Sequence, residues 1–440
     1  MKRHYIGRTL VFLLIAFLSA GMLFAGGGQE VAGPAGVDLD AEPEGTIEVW
    51  GWNVAASSLQ VTADLFMELY PNVEVIVSDI GRTDVYDRVT VGLAADGAGL
   101  PDVIQLDERL PSFSYNFPGG FMDLTELMQP YMDQIDPSKI PVISHEGNII
   151  AAPWDSGPVG VFFRRDLFEA AGVNPDDIET WDDYLAAGEA ILEATGARLF
   201  QVDMANDDGT FRMLLNQVGN FYFNEAGEII IHHEPAVRAM EFLAEAHARG
   251  LVLNTPSWDA ILTATANGDL ATIPFGVWYS GSIKDVAPDL SGQWGAFPLP
   301  AAEPGANRAA NLGGSNLVIP ANTSNPTAAW RFAEFSVLTV EGQMAIMEAY
   351  GIFPSFLPAL ETDFFAEPDP FFGGQEVWQV FVQQVPDIPP INYTSDFTVA
   401  EQIITDAQAA VLLEGADPRT ALRAAAEEIA RQTGRTMARE

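Results

Sequence analysis

The stretch Ile149-Ile150-Ala151-Ala152-Pro153-Trp154-Asp155-Ser156-Gly157-Pro158-Val159-Gly160-Val161-Phe162-Phe163-Arg164-Arg165-Asp166-Leu167-Phe168 organises the rest of the chain. Its first four residues are apolar and read as a strand. Pro153-Trp154-Asp155 is a corner, because proline fixes φ and removes a ladder donor. Val159 to Phe163 is a second apolar strand, and a short helix follows that ends at Gly172. Glycine suits that end because it reaches φ > 0 without strain. Thr180 then sits where an N-cap belongs, with Asp183 three residues on.

Upstream, Thr46 to Trp50 is a strand and Ser57 to Tyr70 a helix, with Leu59, Leu65, Phe66 and Leu69 near helical spacing. Val73 to Val77 is the next strand, Tyr86 to Ala95 a helix, and Pro101 to Asp107 a third strand whose end carries acids. Strand, helix, strand, helix, strand implies βαβ units and a parallel sheet, so the fold class is α/β. Downstream, helices are expected over Trp181–Thr195, Phe211–Val218, Pro235–Arg249 and Asp259–Asn267. Thr272-Ile273 leads into Phe275-Gly276-Val277-Trp278-Tyr279, and Asn311 to Pro320 reads as a returning strand. Asp203 to Gly209 is acidic but lacks calcium-loop offsets, and reads as a solvated turn. The last helices are Thr398–Leu413 and Pro418–Arg435.

The chain has 440 residues, 48% of them hydrophobic and 19% charged, an ordinary globular mix with room for two or three domains. Lys2, Arg3 and Arg8 precede an apolar run from Leu10 to Ala25, which has the form of a cleaved secretory signal peptide over residues 1–25. The run is shorter than the ~20 apolar residues of a spanning helix. Gly26 to Glu44 is rich in Gly, Ala, Pro and acids and reads as a flexible leader. Gly26 stands where a lipidated Cys would follow Leu23-Phe24-Ala25, and the sequence contains no Cys. An unlipidated periplasmic or secreted protein without disulfides is expected. The net charge of −40 disfavours nucleic acid and anionic membrane surfaces, since both are bound through Lys and Arg. The scarcity of Lys fits either an Arg-preferring genome or a saline habitat.

The opening stretch resembles the segment in which sugar-binding proteins of bacterial ABC importers, the extracellular solute-binding protein family 1 of maltose-binding-protein type, cross between lobes. Arg164-Arg165-Asp166-Leu167-Phe168 and Thr180-Trp181-Asp182-Asp183-Tyr184 match that family's pattern closely, while Phe162-Phe163 replaces its usual Tyr-Asn. Asn267 to Thr272 followed by Gly276-Val277-Trp278 resembles its Gly-x-Ala-Ala-Met…Gly-x-Trp segment. Gly313-Gly314 through Pro320, and Gly351 to Pro354, resemble two more of its segments, so the likeness covers about residues 45–435. It implies a type II periplasmic-binding-protein-like fold of two α/β lobes, three interlobe crossings and a ligand cleft between them. The implied N-terminal lobe is 45–152 plus 311–355, and the C-terminal lobe 153–310 plus 356–440. It implies a monomer that binds a sugar or oligosaccharide by hinge closure and delivers it to ABC permease transmembrane subunits, with no catalysis, cofactor or metal.

A sugar site needs aromatic faces for the C–H side of a pyranose and planar polar groups for its hydroxyls. In open α/β sheets ligands sit beyond the carboxyl ends of strands. Trp52 and Asn53 after the first strand, and Asp107 and Glu108 after the third, are therefore candidates, as are Trp154 and Asp155 at the crossing. The resemblance adds Trp278, and Gly313, Gly314 and Tyr393 complete the set. Each has a plain alternative: Trp52, Trp154 and Trp278 as core, Asp107 as a helix cap, Gly313-Gly314 as a strand-end bend. Arg82 is either a partner for an anionic ligand or a surface residue among acids. Trp181 and Trp330 are assigned to core packing. His232-His233-Glu234 lacks the i, i+4 pair of a zinc helix, and no G-x-S-x-G, P-loop or dinucleotide pattern stands in its required setting. Acidic pairs keep a secreted carbohydrate-active hydrolase open as the second reading. A receptor for a peptide, polyol or other non-sugar solute is the third.

Overall fold

The computed structural model describes residues 36–439. The expected signal peptide, residues 1–25, and the expected leader up to residue 35 lie outside the described residues. Residues 36–44, read as flexible, are mostly exposed but anchored at a few points. Val37 is fully buried in the first core, Asp38 N–H donates to Thr327 Oγ1 at 3.0 Å, and Arg331 donates to the Leu39 carbonyl at 2.5 Å. Buried Val37 and two hydrogen bonds to the helix Pro326–Val337 tie this loop-like segment to the first lobe.

Strands β1 Gly45–Gly51, β2 Val73–Asp79, β3 Val103–Leu106, β4 Ser144–His145, β5 Asn148–Ile149 and β6 Ala152–Pro153 precede the first crossing. Strands β7 Val159–Arg164, β8 Phe200–Val202, β9 Val252–Asn254, β10 Thr272–Gly276 and β11 Trp294–Pro298 follow, and β12 Asn316–Val318 comes last. The N-terminal sheet has the order β2-β1-β3-β12-β6, with β12 antiparallel to both neighbours. In the second lobe β7 runs antiparallel between β10 and β11, and β8 pairs parallel with β9. The β8 edge joins β10 through a parallel bridge between Arg198 and Leu270 and through N–H···O bonds from Ala271 to Arg198 and Thr272 to Leu199, both 2.8 Å. Each lobe is thus a mainly parallel sheet with one reversed strand. The reversed strands, β7 and β12, are the two that arrive from the other lobe. They must run away from the hinge, while the parallel strands run toward it and end at the cleft.

Periodicity explains the layers. In the helix Asn53–Leu69, Leu59, Ala63 and Phe66 are fully buried, and the Phe66 ring lies 5.6 Å from Phe332. Leu59 and Phe66 each contribute about 1.5–3 kcal/mol relative to exposure. In the second lobe the helix Arg165–Ala171 stops at Gly172, φ +66°. The helix Trp181–Thr195 starts with a full capping box between Thr180 and Asp183.

Three chain segments pass side by side between the lobes. Trp154 N–H donates to Ser315 O at 3.2 Å, Leu312 N–H to Gly157 O at 2.8 Å and Val159 N–H to Ala310 O at 2.9 Å. On the other side Ser156 N–H donates to Phe353 O at 3.0 Å and Ser355 N–H to Trp154 O at 3.2 Å. The hinge is a short three-stranded ladder. Gly157 is required there by space, because a Cβ would stand 2.2 Å from the Leu312 carbonyl oxygen. Gly157→Ala should push the neighbouring backbones apart and lower stability by about 1–3 kcal/mol, read as a lower urea midpoint at unchanged slope. An unchanged midpoint would show that the ladder can give.

Candidate functional site

The carboxyl ends of the parallel strands face one another across a cleft of about 740 Å³. β1 delivers Trp52 and Asn53, β2 leads to Arg82, and β3 delivers Asp107 and Glu108. From the second lobe come Gln201 and Asp203 around the end of β8, Thr255 and Trp258 beyond β9, and Phe275 and Trp278 at the end of β10. Leu312, Gly313, Gly314, Ser315 and Asp155 form the hinge wall.

The aromatic faces come from both lobes. Trp52 is held edge-on against Tyr86 at 5.9 Å. Trp278 lies 6.0 Å from Trp258 at 32°, edge-on to Phe275, and its Nε1–H donates to the Leu312 carbonyl at 2.9 Å. That bond fixes the ring against the hinge. Trp278 follows β10 without extending it. It is helical, with φ −59° and ψ −19°, and precedes the helix Tyr279–Val286.

Behind the cleft lies a charge network. Arg82 meets Asp107 at 2.5 Å and Glu108 at 3.1 Å, so it is committed to buried carboxylates and is not a lone surface cation. Asp107 also accepts from the Tyr86 hydroxyl, and from Arg109 N–H at 3.2 Å. Its cap-like turn and its cleft position therefore coexist. Glu108 meets Arg212 of the other lobe at 2.8 Å, and Arg109 meets Glu401 at 2.8 Å. Arg212 Nε stands 2.8 Å from Asp208 Oδ1. Burial pushes the Glu108 carboxyl up, but Arg82 and Arg212 outweigh it and hold it at about 2. Burial wins at Asp208, which rises to about 7 against the pull of Arg212. Stranding one partner of such a buried pair costs about 3–5 kcal/mol.

Asp155 is 5% exposed and accepts from Ser315 N–H at 2.6 Å. Burial raises its carboxyl to about 6, opposed by the charge of Lys139. Lys139 is itself buried, shifted down by desolvation, and donates to the Ser315 carbonyl at 3.0 Å. Gly313 and Gly314 have φ of +80° and +99°, and a Cβ on Gly314 would stand 2.8 Å from the Asp155 carbonyl. They are both a bend and a lining of the cleft.

Two candidates lie elsewhere. Trp154 is fully buried in the first core and offers no face to a solute. Extended backbone points neighbours to opposite sides, so Trp154 enters the core while Asp155 enters the cleft. Tyr393 packs between Phe221 at 5.3 Å and Phe397 at 5.0 Å and lines a small separate cavity behind the hinge, with Glu108 and Gly313. The acidic segment 203–209 is not a simple solvated turn: Asp203, Asn206 and Asp207 line the cleft, and Asp208 is wholly buried. Arg212, Gln201 and Trp258 were not among the residues expected. Arg212 left one signal, a lone charge within the apolar helix Gly209–Gln217.

Asp155 sets a pH dependence. Its folded pKa lies above its unfolded value, so the stability it contributes is full below about pH 4 and is lost as pH rises through 6. Asp155→Asn keeps the acceptor for Ser315 N–H but does not titrate. Its melting temperature relative to the unmodified protein should therefore rise between pH 4 and pH 7. A constant difference across that range would contradict this assignment.

A family model described as bacterial extracellular solute-binding protein matches residues 51–343. A lactose-binding protein of Rhizobium radiobacter is 30% identical over 79% of this chain and 84% of its own. An arabinooligosaccharide-binding protein of Bacillus subtilis strain 168 is 28% identical over 73% of this chain and 76% of its own. Among solved structures, the ABC-transporter-associated binding protein of B. animalis subsp. lactis, in complex with β-1,6-galactobiose, superposes with a TM-score of 0.78. It is 24% identical and covers 90% of this chain and 100% of its own.

Proposed function

The chain belongs to the bacterial extracellular solute-binding proteins, and from that premise we propose that its solute is a neutral sugar or oligosaccharide, delivered to the membrane subunits of an ABC importer. The observation that carries the reading is the cleft itself. Indole faces from both lobes stand around a volume of about 740 Å³, with amide, hydroxyl and carboxylate groups between them. Flat aromatic faces with directed polar groups are what a pyranose requires. The relatives named for lactose and arabino-oligosaccharides support the same class.

Charge narrows it. Carboxylates lining the cleft outnumber its two arginines, Arg82 and Arg212, and both arginines are already paired. An anionic sugar phosphate or a peptide carboxylate would meet uncompensated negative charge there. The protein acts by binding, without turnover. The solute bridges the lobes and selects the closed state through contacts it makes only there. We place the lobes at 45–152 plus 311–355 and at 153–310 plus 356–440, and export through residues 1–25 as a cleaved signal peptide into the periplasm.

A thermal-shift screen of mature protein against lactose, arabino-oligosaccharides, β-1,6-galactobiose, sugar phosphates, polyols and short peptides tests this. A binder of the folded state raises the melting temperature by mass action. A shift with neutral carbohydrate alone, and no product over hours, is expected. A product would favour a hydrolase, and a shift with peptides alone would overturn the substrate. Trp278→Ala should weaken that carbohydrate about tenfold or more while leaving far-ultraviolet circular dichroism unchanged. An unaltered Kd would remove Trp278 from the site.

A further inference from the structure

Strand alternation in β8 sends Phe200 and Val202 into the second core, and both are included in it. Gln201 between them takes the opposite face, where it lines the cleft at 2% exposure. Neither its amide nitrogen nor its amide oxygen has a hydrogen-bond partner in the protein. Among the described residues no other buried amide side chain has both ends unpartnered. Two polar residues that line the same cleft are engaged elsewhere: Arg212 with Glu108, and Asp203 with the N–H groups of Ala205 and Asn206. A buried amide with two free ends opposes folding, and an apolar side chain of the same length at this position would not.

We propose that the Gln201 amide is a specificity group of the second-lobe wall, donating through Nε2 to one carbohydrate hydroxyl and accepting through Oε1 from another. The inference rests on the sugar reading of the cleft and adds a residue that the sequence did not point to. An amide offers one donor face and one acceptor face in a fixed plane, which matches a pair of neighbouring hydroxyls. Such a site rejects the analogue that lacks one hydroxyl, because the amide is then left unpaired at that end. Binding thus completes a hydrogen-bond set that the empty cleft leaves open, which ties affinity to the orientation of particular hydroxyls.

The test uses Gln201→Met, nearly isosteric and apolar, with Gln201→Leu as a second variant should the first fold poorly and Trp278→Ala as the control. Two quantities are read: the melting temperature without sugar, and the Kd for whichever of lactose, β-1,6-galactobiose and arabino-oligosaccharides binds the unmodified protein. The expected result is an unchanged or higher melting temperature together with a Kd raised roughly tenfold. A lower melting temperature without sugar in both variants overturns the proposal, since the amide would then already be satisfied, by an enclosed water for example. An unchanged Kd overturns it as well, and if Trp278→Ala still weakens binding, the sugar reading survives that failure. If none of these carbohydrates binds the unmodified protein, the sugar reading falls and takes this inference with it.

Discussion

Three neighbouring chain segments, hydrogen-bonded into one ladder at the hinge, set the terms for the rest of the molecule. Leu312 N–H to Gly157 O and Ser156 N–H to Phe353 O hold the outer segments to the central one. Strand polarity follows. A strand leaving the ladder must run away from it, which makes β7 and β12 the reversed members of their sheets. Parallel strands β1, β2 and β3 of the first lobe and β8, β9 and β10 of the second then end at the cleft, and the polar residues that follow those ends line it. Short crossings with close glycine contacts at Gly157 and Gly314 leave the backbone few ways to move except as a hinge.

Charge is distributed to serve this arrangement. The chain carries 61 acidic residues against 21 Lys and Arg, so each buried cation has a choice of partners. Arg212 joins Glu108 of the first lobe and Asp208 of its own, and Arg109 reaches Glu401 across the boundary. These pairs hold the lobes in one register at the back of the cleft. Because the arginines are already paired, the open side of the cleft keeps its negative potential, which disfavours anionic solutes. At the hinge, Lys139 and Asp155 divide one polar pocket around Ser315, each shifted toward its neutral form by burial.

Local signals in the sequence carried the fold well. Gly172 as a C-cap, the Thr180 and Asp183 capping box and the βαβ order are each set within a few residues, and each appears in the structure. Trp52, Asn53, Asp107 and Glu108 reach the cleft because strand ends of parallel sheets converge there. Non-local facts were not legible. Trp154 and Asp155 are adjacent in sequence, and only the packing of the first core decides which of them turns inward. Arg212 and Glu108 lie 104 residues apart, so neither predicts the other. Gln201 lies on a strand of three residues buried on both faces, where a single apolar-polar-apolar alternation is too short to mark a functional side. The segment 36–44 has a loop's composition, and its two buried residues, Val37 and Pro43, give no periodic signal.

The central claim is that a neutral carbohydrate binds between two lobes that move about the three-segment ladder. Small-angle X-ray scattering of the mature protein, with and without a carbohydrate that raises its melting temperature, tests this most directly. The account predicts a smaller radius of gyration in the carbohydrate-bound state, with no such change on adding a sugar phosphate or a peptide. Saturating carbohydrate with an unchanged scattering curve would contradict closure about this hinge.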